Sequence, residues 1–424
     1  MKLKLISALL FLGFLFVVPV VASAKDNSSE FSEGDRDPPF VCKQIKDPNL
    51  SLSKKRNGLS ATRLLNLAPA REYEYALGEQ NILVVLVAFA DQDTSDDTSE
   101  LEEKAKESLF GGEGSESASE YFKKVSQEKM SLKGKILSGW RILKNSEEYW
   151  SGEGSSNFDY TKVLNDTISA IDPDVYLPDY GRIIIFLKDG EKRAYASGSI
   201  GKWDNIESDD GLLSMGICWI WEDDISYRYK LWHELLHTFS FSHSGAIYLK
   251  ENNPCERLCS NQEITKADDT TWPPMECSTE EYGDGMCVLG HGRGHPSAFV
   301  KYKAGWLNDD QILVVTESVT ATLIPRSSSL AGVKMIIIKA KDADGTIKTY
   351  LLEYFKRLEG FDSSNKSGPK ILVRFFNEEE ELNDSGTILL LKKNEEGEEY
   401  YYSIWDLKEE SFCDTENGIE IKWT

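Results

Sequence analysis

The stretch LWHELLHTFSFSHSG, Leu231 to Gly245, holds three of the five histidines in the chain. On a helix, His233 and His237 are four residues apart and lie one above the other on a single face. Two imidazoles placed this way can reach one ion. His243 stands ten residues after His233, and a helix that ran on would carry it away. If the chain turns back after about Thr238, His243 closes a three-nitrogen site. Zinc held by three histidines keeps a fourth position open for water, lowers the pKa of that water to about 7 and polarises a carbonyl oxygen. Glu234 follows the first ligand and is the candidate general base, taking the water's proton and returning it to the leaving amine. A lone His-Glu-x-x-His is weak evidence. The third histidine adds weight, because a structural helix has no need of that spacing.

Strands and helices alternate outward from this segment. Asn81–Asp91 (NILVVLVAFAD) and RIIIFLKDG read as buried strands, as does GICWIWED. SELEEKAKESLF, SASEYFKKVSQEKM and FDYTKVLNDTISAI carry helical spacing, and SLKGKILSGWRIL reads as a strand bent at Gly139. The order predicts an α/β layer with a sheet packed on helices. After Asp309 the pattern changes. TATLIPR, VKMIIIKAKD, IKTYLLEYF, PKILVRFF, GTILLLKK and GIEIKWT are short strand-like runs separated by turn residues, which predicts an all-β sandwich. Trp219, Trp221, Trp232 and Tyr229 are expected to pack the site helix on the sheet rather than to line a sugar cleft.

The first 24 residues read as an export signal. Lys2 and Lys4 precede an apolar run from Leu5 to Val21, and Ala22-Ser23-Ala24 is a small-residue cleavage site. A membrane anchor is the alternative. Residues 25–75, polar and rich in Ser, Asp, Lys and Pro, read as a propeptide or loose arm. The catalytic domain is expected over 76–307 and the β domain over 308–424. The formal net charge of −23 argues against nucleic acid, whose phosphates demand a basic face. It suits a soluble protein in the open medium, and no segment after the signal is apolar for long enough to span a bilayer. Asn27, Asn49, Asn165, Asn365 and Asn383 sit in glycosylation sequons, which matter only in a host that glycosylates exported proteins.

Seven cysteines follow the signal. Cys255, Cys259, Cys277 and Cys287 lie close together, which predicts two local disulfide bonds, against a four-cysteine zinc site, for which the C-x3-C spacing has no matching second pair. The odd count leaves a thiol over. Cys42 is a candidate latency thiol, able to occupy zinc's fourth position until the arm is cut. The alternatives are a bridge to Cys218 or Cys413, or a free thiol. The acidic loop DQDTSDDTSE is a candidate for structural calcium, against a plain solvated loop.

At the histidine motif the chain resembles the metzincin zinc endopeptidases, whose signature is HExxHxxGxxH. Within them it is similar to the gametolysin and immune-inhibitor-A-like secreted peptidases. The similarity extends over about 80–424, through NILVVLVAFADQ, SASEYFKKVSQEKMSLKGKILSGW, EYGDGMCVLGHGRGHPSAFVKYKAGWL and the β-rich tail. It implies a metzincin-like α/β catalytic domain with a mixed twisted sheet, a polypeptide substrate, His233, His237 and His243 as Zn2+ ligands, and Glu234 as base. It also implies a turn beneath the metal and an edge strand that binds substrate backbone, for which Arg193–Trp203 (RAYASGSIGKW) is the candidate, against an ordinary surface hairpin. Two positions depart from the family. Ser240 stands where it has glycine, and Leu289 replaces the turn methionine, with Met286 three residues out of register. His291, two residues past Leu289, is a candidate oxyanion stabiliser, against a loop histidine that packs or faces water. Two rival functions stay open: a non-catalytic surface or adhesion relative, and an amidase acting on cell-wall peptide.

Overall fold

The computed structural model describes residues 16–20, 76–152, 157–190, 196–248, 265–266, 278–315, 319–341, 347–356, 361, 370–376, 388–393, 402–403, 412–414 and 419–423. Cys42, the whole 25–75 arm, Cys255, Cys259, Cys277 and the sequons at Asn27, Asn49, Asn365 and Asn383 lie outside them. The fold is mixed α/β, with mixed sheets and few helices. Strand β1 (Phe16–Val20) falls inside the apolar run at the N-terminus. No helix among the described residues is long and apolar enough to cross a membrane.

The first sheet contains β2 (Gly78–Phe89), β3 (Met130–Leu143), β4 (Arg182–Leu187), β5 (Ser197–Gly198), β6 (Trp203–Ser208) and β7 (Gly211–Trp221). Its order is β3-β2-β4-β7-β5, with β6 also paired to β7. The β2–β3, β2–β4 and β4–β7 pairings are parallel, whereas β5 and β6 run antiparallel to β7. Every residue of β4 is buried, as befits a central strand covered on both faces. The bend expected at Gly139 is a bulge. Between the pairs Val85–Leu137 and Val87–Arg141 the register shifts, and Gly139 takes φ 77°, which costs glycine little.

Helices α1 (Ser99–Phe110) and α2 (Ala118–Val125) pack on one face of this sheet, and α3 (Tyr160–Ile171) packs on the other. Ser117 caps α2 and Asp159 caps α3, each side chain accepting a backbone N–H three residues on, which satisfies a donor the helix leaves open. The site helix α4 (Arg228–His237) joins the α1–α2 face, its Leu231, Leu235 and Leu236 buried among Ile184, Phe186 and Ile220. Trp232 stacks on Tyr121 with ring centroids 4.2 Å apart. Trp219 and Trp221 belong to the opposite face, against Tyr160 and Phe158. Of the four aromatics, only Trp232 and Tyr229 therefore accompany the helix.

The second sheet begins directly after the histidine motif. It contains β8 (Gly245–Tyr248), β9 (Thr265–Lys266), β10 (Ser278–Glu280), β11 (Ile312–Val315), β12 (Met335–Lys341), β13 (Ile347–Phe355), β14 (Lys370–Phe376), β15 (Ile388–Lys393) and β16 (Tyr402–Ser403). Helix α5 (Ala298–Lys303) and the turn after it lead into β11. The order is β11-β12-β13-β14-β15-β8-β10-β9, with β16 on β15. The C-terminal strands are thus continuous with two strands flanking the site: β15 pairs in parallel with β8, Ile388 to Gly245 through Leu391 to Tyr248. A small third sheet joins β1 to β17 (Phe412–Asp414) and β18 (Ile419–Trp423). TATLIPR forms no strand. It contributes isolated bridge residues at Ala321 and Pro325, the latter opposite Tyr354, and its proline gives a ladder no N–H. Ile312–Val315, unremarked in the sequence, is a strand paired in parallel with β12.

Candidate metal centre

Helix α4 ends where a three-histidine site needs it to end. Thr238 follows the last helical residue, and Ser240 swings the chain round at φ 69°. That positive φ is the strained left-handed conformation expected of a serine in the glycine's place. The Ser240 N–H donates to the His237 carbonyl at 2.8 Å, closing the turn. His243 then faces back on the helix. The ring centroids lie 4.7 Å apart for His233–His237, 4.7 Å for His237–His243 and 5.2 Å for His233–His243. The three rings offer ligand nitrogens within 4.8 Å of one another.

Each ring is fixed through Nδ1. His233 Nδ1 lies 2.7 Å from the Val288 carbonyl oxygen and His237 Nδ1 lies 2.6 Å from that of Phe241. His243 Nδ1 lies 2.7 Å from Glu281 Oε1. A carbonyl oxygen only accepts, so the first two Nδ1 atoms carry the proton, and the Glu281 carboxylate selects the same tautomer for His243. The Nε2 lone pairs are left for the shared centre. His237 Nε2 and His243 Nε2 stand 3.1 Å apart. Two lone pairs at that distance repel unless a cation lies between them. Burial opposes a proton in that role: it holds His237 down to about 4 and puts His233 and His243 well below the ordinary imidazole range, reinforced by their neighbouring imidazoles. Neutral, converging imidazoles suit a divalent metal. Tetrahedral zinc with bonds of about 2.0–2.1 Å sets its nitrogens roughly 3.4 Å apart. The donor set therefore fits a metal ion.

The other expected residues are distributed around this centre. Glu234 lies on α4, wholly buried, and its charge raises the buried Cys218 thiol on β7, second to burial itself. Leu289 is also wholly buried, and its carbonyl accepts from the Ser244 N–H at 2.8 Å. With Val288 serving His233, the turn around Leu289 runs directly against the histidines. Met286 points away, toward Ala246, Phe355, Leu372 and Leu389. His291 is exposed and stacks on Tyr282 at 6.0 Å, while Tyr282 lies 3.9 Å from His243. His295 is buried elsewhere, its Nδ1 3.0 Å from Lys301 Nζ. Within Arg193–Trp203, β5 ends the strand path beside β7, and its Gly198 lies so close to α4 that a Cβ there would stand 2.5 Å from the Glu234 carbonyl oxygen.

Two expectations need correction or narrowing. Cys287 is unpaired and buried, its sulfur accepting from the Ser244 hydroxyl and the Ser297 N–H. Cys287 is therefore not a member of two local bridges, and Cys255, Cys259 and Cys277 lie outside the described residues. Cys218 is likewise free and buried, which removes it as a partner for Cys42. The carboxylates of the acidic loop serve the chain itself: Asp91 holds Ser146, Asp93 and Asp97 hold Ser95 and Ser99, and Asp96 pairs with Lys188. Among the described residues, the histidine trio is the group of three or more side chains placed to hold a metal.

Glu281 and Tyr282 were not singled out by the sequence reading. They reach His243 because β10 pairs antiparallel with β8, Glu280 opposite Ala246. The residue types stand side by side in EEYGDG, but nothing in that run names the strand they meet. What the fold and the centre define is a mixed α/β protein with a buried three-histidine cluster able to hold a metal ion. No known protein-family model matches the chain, and no curated protein sequence matches it either.

Proposed function

We propose that the chain is a secreted zinc endopeptidase of the metzincin type, with His233, His237 and His243 as ligands and Glu234 as the general base. The observation that carries this reading is the tautomer of the three rings. All three Nδ1 atoms are engaged, and the Nε2 atoms of His237 and His243 converge to 3.1 Å. Zinc, when bound, supplies the Lewis acidity that activates water and polarises a carbonyl. The protein's own groups do the rest. Glu234 is one turn from His237 on α4; its carboxylate takes a proton from the attacking water and delivers it to the leaving amine nitrogen. Tyr282, against His243, and His291, stacked on Tyr282, are the candidate donors for the oxyanion. A substrate backbone extends the sheet along β5 by strand addition. The C-terminal strands form a β-sandwich-like shield for this core.

A second reading has its own support. Glu234 is wholly buried and acts on Cys218, and Ser240 holds a strained turn. Both suit a surface or adhesion protein that keeps the metal and has given up hydrolysis. The test is hydrolysis of a peptide library, and of cell-wall peptides, by protein freed of residues before about 76. The zinc endopeptidase reading expects cleavage of polypeptide that chelation stops and zinc restores, with Glu234→Gln reduced about a hundred- to ten-thousandfold while still binding zinc. Cleavage confined to cell-wall peptide favours the amidase. Zinc binding without cleavage of any substrate favours the non-catalytic relative.

A further inference from the structure

The turn that serves the histidines is gripped from the second sheet. Residues 281–290 supply Glu281 Oε1 to His243, the Val288 carbonyl to His233 and the Leu289 carbonyl to Ser244. Within that turn Asp284 is wholly buried, and its Oδ1 accepts from the Met286 N–H at 2.9 Å. Its Oδ2 accepts from Arg374 Nη1 of β14. Arg374 Nε donates at 2.7 Å to Glu353 Oε1 of β13, and Arg326 Nη1 donates to the same oxygen at 2.8 Å. Arg326 Nη2 donates to the Met286 carbonyl, and Glu353 Oε2 accepts from the Ala298 N–H at the start of α5. Two guanidiniums thus hold both sides of Met286 while facing two carboxylates.

All four side chains are at most 2 % exposed. A buried charge network of this kind is a poor stabiliser, since apolar residues of similar volume commonly do as well or better. A guanidinium fork does, however, fix directions that a greasy contact leaves loose. The directions fixed here are those of the turn, and the turn aims two of the three imidazoles. We infer that Arg374, Glu353 and Arg326 are positioning residues for the metal centre, so that the C-terminal sheet tunes metal affinity without touching the metal. The inference rests on the reading that the histidine trio binds zinc. Partners that orient metal ligands commonly change affinity 10–100-fold when removed, and any such coupling is reciprocal.

The experiment measures zinc dissociation constants by chelator competition on the full chain and on its Arg374→Lys and Arg374→Met variants. It is joined to hydrogen exchange of the wild type with and without zinc. Arg374→Lys keeps the charge and loses the fork, and is expected to weaken zinc at least about tenfold, with Arg374→Met weaker still. General destabilisation leaves the zinc affinity of the molecules that remain folded unchanged, so a merely structural role does not move this readout. Chelation is expected to raise exchange in residues 281–290 and in Lys370–Phe376 more than in β2. Unchanged zinc affinity in a folded Arg374 variant overturns the inference. If neither variant folds, the wild-type exchange decides, and strand β14 indifferent to zinc overturns it. A wild type that binds no zinc at all overturns the metal reading itself, which is a separate outcome.

Discussion

Ser240 holds a backbone conformation that glycine adopts freely and other residues adopt at a cost of about 1–2 kcal/mol. Glycine gives back part of that gain through its freer unfolded chain, about 0.4–1 kcal/mol. Ser240→Gly is therefore expected to raise stability by roughly 0.5–1 kcal/mol with zinc affinity retained, read from the denaturant midpoint of the metal-free protein. A lower midpoint would show that the serine is not strained. At this scale the sequence was most legible. The spacing of His233 and His237 implies one helical face, and His243 needs only a turn after Thr238. Glu281 and Tyr282 were hidden because they arrive through strand pairing 38 residues downstream of His243, and local pattern carries no address for a partner strand.

The elements obey their local signals where a continuous apolar run is buried on both faces and fail where pairing decides. NILVVLVAFAD and RIIIFLKDG are central strands because nothing polar interrupts them. TATLIPR resembles a strand by composition, but its proline gives a ladder no N–H and it makes isolated bridges instead. Strand β13 carries a titration signature. Burial alone would raise the Glu353 carboxyl, yet Arg326 and Arg374 hold it down to about 2 from an ordinary 4.5. The folded value lies below the unfolded one, so the stability it contributes is present above about pH 4.5 and is lost as the pH falls toward 2. The shift corresponds to about 3 kcal/mol. Acid unfolding is expected to steepen across that window, and Glu353→Gln, at lower stability throughout, is expected to flatten the slope there. A slope unchanged by the substitution would remove Glu353 from the acid transition.

On the scale of the whole molecule, the site lies at the seam between the two larger sheets. Past Gln311 every helix or strand among the described residues is a strand. The sequence could not reveal that β8 and β10, on the histidine side of Gln311, pair into the same sheet as the C-terminal strands. Parallel partners are chosen by long-range packing, which alternation does not encode. Removing the chain after Gln311 strips β15 from β8 and Arg374 from Asp284. Such a truncation is expected to be insoluble or to lose metal binding, as judged by gel filtration and bound zinc. A soluble, zinc-binding fragment would show that the seam is dispensable.

The claim beneath all of this is that His233, His237 and His243 share one divalent cation. Its most direct test is elemental analysis of the purified protein after gel filtration, with His237→Ala measured alongside. The account predicts one equivalent of zinc per chain in the wild type and almost none in the variant. Substoichiometric metal in zinc-saturated wild type, or the same content in both proteins, would contradict it.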